Sequence, residues 1–165
     1  MPDLEDLRFF TRKALLSDKF NETLAEVYAE KEALYDTGFE VLFPNEVFTA
    51  QLMEVAEQFP YGELNATISR NRAPDSNVIR LMHDIQIFWH LRHDKEEELE
   101  THLNRYMKAT RRFFERNQYL DDIGVGPVQL NDDVYSPFVP VTLYNARPFV
   151  KSGLLVIYWE TFDEH

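Results

Sequence analysis

From Val78 to Asn117 the hydrophobic period of the chain changes once, and that change limits what the chain can build. Ile79, Leu81, Ile85, Ile87, Trp89 and Leu91 alternate with Arg80, Asp84, Gln86, His90 and Arg92. A period of two belongs to a strand with one buried face. Beyond Asp94 the apolar residues Leu99, Leu103, Tyr106, Thr110 and Phe113 are three and four apart, the spacing of one face of a helix. A long strand therefore runs into a long amphipathic helix with almost no loop. Asp94 is the expected cap, with Glu97 answering it three residues on as in a capping box. Nothing in this unit is arranged for chemistry.

The same logic extends to both sides. Asp3 to Leu34 reads as helix, started by Pro2 and Asp3 and interrupted near Ser17-Asp18, so two helices are possible. Thr37-Gly38 stops it. Phe39–Phe43 (FEVLF) is aromatic and β-branched and is expected to be a strand. Asn45 suits the cap of a short helix carrying Phe48, Leu52, Val55 and Phe59. Leu64 to Ser69 alternates, and the polar turn RNRAPDSN (Arg70 to Asn77) joins it to the long strand as an antiparallel hairpin. A short strand is expected around Val128 to Leu130. Pro137 and Pro140 make Tyr135 to Arg147 an edge strand or extended arm. Phe149 to Phe162 is the last strand, apolar on both faces from Leu154 to Trp159 and so expected inside the sheet. The fold class is α+β: a mixed or antiparallel sheet, a long amphipathic helix across it and an N-terminal helical segment, in one domain over 1–165.

Composition removes several functions. With 165 residues, 44% of them hydrophobic, the chain can bury a substantial core. A net charge of −12 is the wrong sign for a general nucleic-acid binder. There is no cysteine, hence no thiol chemistry and no cysteine-based zinc site. The segment MPDLEDLRFF has acids where a signal peptide has bases, and Leu154 to Trp159 is too short to span a membrane as a helix. The expectation is a soluble protein made in a cytoplasm.

The candidate chemistry is thin. His83, His90, His93 and His102 are close in sequence, but His90 and His93 point to opposite faces of a strand. His83 and His93 share a face roughly 33 Å apart. No metal site, no cofactor and no catalytic residue is expected. Arg105, Lys108, Arg111, Arg112 and Arg116 gather at one end of the long helix. They suit its dipole and pairing across a subunit contact better than they suit phosphate. Asp121-Asp122 and Asp132-Asp133 lie in turn-like stretches, where Asp is common for local reasons. Ser136 has no histidine in a nearby motif. P-loop, Rossmann, EF-hand and nucleophile-elbow patterns are absent.

Three stretches carry a family resemblance: DIQIFWHLRHDKEEELETHLNRYM (Asp84 to Met107), Phe59-Pro60 ahead of a strand, and NARPFVKSGLLVIYWE (Asn145 to Glu160). Together they resemble the tail terminator proteins of long-tailed bacteriophages, the lambda type in particular, over roughly Asp36 to Glu160. The resemblance implies a structural virion protein of the phage neck and no enzyme. Its subunits would form a homo-oligomeric, hexameric ring that ends the tail tube. Its partners would be itself, the tail tube protein and the head-tail connector protein, with DNA passing through the channel without tight binding and no membrane contact. Phe138, Tyr144 and Tyr135 in the Pro-bearing arm, with Arg111, Arg112 and Glu97 on the long helix, are the expected interface residues. Another neck or tail-completion protein is the near alternative. A small α+β enzyme or binding domain using the His90 region, or an acidic mimic of DNA, is the distant one.

Overall fold

The structure, a computed structural model, describes residues 3–50, 52, 56, 58–72, 77–117, 129–130 and 149–164. The described elements are α1 (Leu4–Leu15), α2 (Asp18–Tyr35), β1 (Glu46–Phe48), β2 (Tyr61–Arg72), β3 (Val78–His93), α3 (Glu96–Arg116), β4 (Gln129–Leu130) and β5 (Phe149–Glu164). The strands form one mixed sheet in the order β1-β2-β3-β5-β4, so the fold is α+β with an N-terminal helical segment.

Local chemistry accounts for the helix ends. Asp3 and Asp6 form a reciprocal capping box on α1, and the Ser17 side chain caps α2. The interruption at Ser17-Asp18 is thus a true break. Asp36 closes α2 in the left-handed conformation, which Asp tolerates better than most residues.

β3 is the axis of the sheet. It pairs antiparallel with β2 from Tyr61↔His90 to Arg72↔Ile79, and with β5 from His93↔Phe149 to Val78↔Glu164. Leu81, His83, Ile85, Ile87, Trp89 and Leu91 are all buried on one face, as the alternation requires. α3 follows β3 directly and lays Leu99, Leu103, Tyr106, Thr110 and Phe113 into the core. Phe20 of α2 stacks on Trp89 at 5.6 Å between ring centroids, and Tyr106 meets the same indole edge-on at 5.1 Å. The indole N–H donates to Thr110 Oγ1 at 2.9 Å, so the largest core side chain is also satisfied.

Trp89 lies level with Gly62 on β2 and Gly153 on β5. A Cβ added at Gly62 would stand 3.2 Å from both Trp89 Cζ3 and Val47 Cγ2. A side chain at that position would press on the ring and on Val47, which would have to give by a few tenths of an ångström.

Three local expectations are corrected. Phe39–Phe43 has no ladder partner and is not a strand. It crosses the helices instead: Phe39 stacks on His102 at 4.9 Å, and the Tyr106 hydroxyl donates to the Leu42 carbonyl. Strand propensity is a preference for half-buried packing, and helix surfaces satisfied it here. The helix expected from Asn45 begins instead as β1, a strand parallel to β2; Val55 of that segment lies outside the described residues. The Asp94–Glu97 capping box does not form. Lys95 is the N-cap without a side-chain bond, its N–H donates to His93 Nδ1 at 3.0 Å, and Glu96, Glu97 and Glu98 supply negative charge to the first turn.

Candidate functional site

The helix-facing side of the sheet holds a buried polar network between α2, α3 and the segment after α2. Arg105, only 2% exposed, donates to Glu32 Oε1 at 2.9 Å and to Thr37 at 3.3 Å, and lies over the Tyr28 ring at 4.9 Å. Glu32 also accepts from the Thr37 hydroxyl and the Gly38 N–H. The Thr37 bond first, with Arg105 and two backbone N–H groups, holds its carboxyl down at about 2. The Tyr28 hydroxyl lies 2.5 Å from His102 Nδ1. Burial raises the Tyr28 phenol, so it keeps its proton and donates. Burial, with His93 and Arg105 nearby, lowers His102 to about 4. Arg105 Nε is buried without a hydrogen-bond partner among the described residues, but the other polar ends named here meet partners from the same chain, so the network fastens elements together.

The opposite face is different. Register places Tyr61 and Glu63 of β2, Phe88 and His90 of β3, and Ser152 of β5 side by side there. His90 Nδ1 lies 2.5 Å from Ser152 Oγ, and Nε2 lies 3.1 Å from Glu63 Oε1. The Tyr61 ring covers the imidazole at 4.7 Å. Glu63 Oε2 accepts from the Leu52 N–H at 3.3 Å. A hydroxyl, an imidazole and a carboxylate in that order are the parts of a nucleophilic relay. Burial lowers His90 to about 4 and raises Glu63, so both neutral forms are favoured.

Two details limit this arrangement. The carboxylate stands beside Nε2 but off the line of its N–H, so the close approach is not a hydrogen bond. Ser152 is buried within a sheet strand rather than raised on a turn, with 5% of its surface exposed.

Other expected residues fall elsewhere. His90 and His93 do diverge: His93 Nε2 meets Glu98 at 3.1 Å, near His102. Among the described residues no group of three His, Asp or Glu converges to hold a metal ion. Arg112 forms ion pairs with Glu26 and Glu30 of α2, and Arg116 with Glu26. Arg111 bonds Glu115 one turn along α3. The charges of Arg105, Arg112 and Arg116 are met by carboxylates of their own chain. The acidic end behaves alike, since Glu96 and Glu100 both hold Lys151 at 2.9 Å. Glu97 is exposed at the start of α3. Phe138, Tyr144, Tyr135, Ser136, Asp121-Asp122 and Asp132-Asp133 lie outside the described residues.

No family model and no curated protein matches this chain. No described helix is long and apolar enough to cross a membrane.

Glu63 and Ser152 were not singled out by sequence reasoning. They come from different strands than His90, and no spacing connects the three. A hairpin centred on the polar turn does bring the start of β2 level with His90, and that is the one signal the sequence offered.

Proposed function

We propose that this chain is a structural ring subunit of a long-tailed phage neck, ending the tail tube and joining it to the head connector. The observation that carries the reading is where the resembling segments lie. Asp84 to Met107 forms most of β3 and the first half of α3, the described part of Asn145 to Glu160 is the strand beside β3, and Phe59-Pro60 leads into the strand on the other side. Three stretches far apart in sequence make one continuous sheet with a helix across it. The partners on this reading are further copies of the chain, the tail tube protein and the connector protein. With a net charge of −12, DNA in the channel is passed rather than held.

Native mass spectrometry of the full chain tests the reading. The expected species is six times 19.6 kDa, with sixfold rings in negative stain that cap tubes of tail tube protein. A monomer at every concentration that also fails to cap such tubes overturns it.

One observation favours a second reading. The Glu63–His90–Ser152 group has the parts of an acyl-transfer site. A fluorophosphonate that adds covalently to Ser152, and no longer adds in His90→Ala, would establish it. An unmodified intact mass removes it.

A further inference from the structure

The segment between α2 and β1 is held down by side chains. From Thr37 to Pro44 no backbone–backbone hydrogen bond forms among the described residues. The bonds on either side run from the Asp36 N–H to the Glu32 carbonyl at 2.9 Å and from the Asn45 N–H to the Pro60 carbonyl at 2.8 Å. Between these anchors four residues hold the chain. Glu32 of α2 accepts from Thr37 and Gly38. On α3, His102 carries the Phe39 ring, Arg105 lies over the same ring at 5.5 Å, and Tyr106 donates to the Leu42 carbonyl. Val41 and Leu42 pack partly on the core, while Asp36, Thr37, Gly38 and Glu40 are exposed. The segment thus stands between solvent and His102, which is buried.

Three of the four holders keep one charge in weak acid. The Glu32 carboxyl is held at about 2, burial raises the Tyr106 phenol well above its usual value, and an arginine stays charged throughout. A histidine is the exception. The surroundings of His102 suit the neutral ring. α2 supplies Tyr28, whose hydroxyl donates to Nδ1 at 2.5 Å, and Glu32, which Arg105 engages at 2.9 Å. β3 supplies His93, with ring centroids 5.8 Å apart. α3 supplies Arg105 and Glu98, and Glu98 already meets His93 at 3.1 Å and Lys95 at 3.3 Å. The segment supplies Phe39, whose ring attracts cations but already faces Arg105. Both carboxylates are committed to other cations.

We infer that His102 is a proton-operated latch on the segment 36–45: an imidazolium there gives up the Tyr28 bond and lets the segment lift away while the core stays closed. On protonation Nδ1 changes from acceptor to donor, so the Tyr28 hydroxyl and the ring present hydrogens to each other. A second cation beside Arg105 and His93 adds repulsion. Water is the remaining partner for the new N–H, and the segment is what keeps water out. α3 yields less readily, because Arg112 and Arg116 tie it to Glu26 and Glu30 of α2. The segment has no ladder to lose, and such stretches open before helices and strands do. The latch lies within one chain and does not depend on ring formation.

Linkage sets the size of the effect. Closed, His102 is held at about 4, by burial first and then by His93 and Arg105; opened to water it returns towards ~6.5. Each pH unit between these values favours the open form by roughly tenfold, and above about 6.5 the balance is constant. The absence of cysteine allows a direct reading. In full-length Leu42→Cys, the rate of reaction with dithiodipyridine, divided by that of a free-thiol peptide at the same pH, gives the fraction open. That fraction should be level above about pH 6.5 and rise roughly tenfold per unit below it. Ala109→Cys, in the buried stripe of α3, should react far more slowly at every pH, because opening the whole fold is rarer than opening one segment. His102→Asn in the Leu42→Cys chain should give a level profile, since its amide oxygen can accept from Tyr28 but takes no proton. His102→Gln serves the same test if the Asn variant does not fold.

A level profile in Leu42→Cys itself overturns the latch. A slope that survives the His102 substitution overturns it as well, because another group then takes the proton. Equal rates in Leu42→Cys and Ala109→Cys at each pH also overturn it, since the whole fold would be opening together. None of these results bears on whether the chain forms a ring, which the native mass decides.

Discussion

The two faces of the sheet are built from the same three strands, yet they are buried in different ways. The helix face is apolar around Trp89, and its one indole N–H is satisfied by Thr110. The other face buries Tyr61, Glu63 and Ser152 around a half-buried His90. On the first face a lost side chain leaves a hole. On the second it leaves a polar group without a partner. Equal burial thus carries two different penalties, and substitutions can separate them.

The sharpest separation is Trp89→Ala. It removes the ring that Phe20 stacks on and Tyr106 meets edge-on, and should cost about 3–5 kcal/mol in a denaturant melt. A loss under ~1 kcal/mol would mean the helix face is not the dominant core.

Acid tests both faces at once. His102 on the helix side and His90 on the other are each held near pKa 4, first by burial, against about 6.5 when unfolded. Below about pH 6.5 the unfolded chain takes up protons that the folded chain refuses. Stability is therefore complete above that pH and is lost as pH falls towards 4, by at most about 1.4 kcal/mol per pH unit for each histidine. Raised Glu63 opposes this from within the second face, since its folded form takes up a proton earlier. His102→Gln and His90→Gln should therefore each flatten the dependence of melting temperature on pH, whereas Glu63→Gln should steepen it. A Glu63→Gln variant whose melting temperature follows pH as the unsubstituted protein does would remove the distinction between the faces.

The smallest effect belongs to Ser152→Ala. It takes away the partner of His90 Nδ1 while leaving the packing nearly unchanged, and should cost about 1 kcal/mol. A neutral result in the same melt would mean that water replaces the hydroxyl, and that this face is wetter than its burial suggests.

The parts of the fold legible in the sequence are those where one physical demand acts alone. Alternation from Ile79 to Leu91 and the stripe from Leu99 to Phe113 each express one buried face, and both elements stand where the pattern put them. Phe39–Phe43 has the same propensity with no neighbouring strand to use it, so its apolar residues pack on helices. Asp94 had the right type and spacing for a cap, but the helix starts one residue later, at a position set by the His93–Lys95 contact. The Glu63–His90–Ser152 group was illegible for a different reason. It exists only through the register of three strands, and register is a relation between segments rather than a property of any one.

That register has its own guard in the notch at Trp89. Alternation can reject a slip of one residue, because every side chain would change face. It cannot reject a slip of two, which keeps each side chain on its face. Such a slip would set the indole level with Pro60 or Leu64 on one side, and with Lys151 or Leu155 on the other, instead of with Gly62 and Gly153. On the β2 side the ring faces a residue with no Cβ, where an added Cβ would stand 3.2 Å away, so a slip of two meets a resistance that hydrophobic patterning does not supply. The widest side chain in the core thereby favours one alignment of β2 on β3.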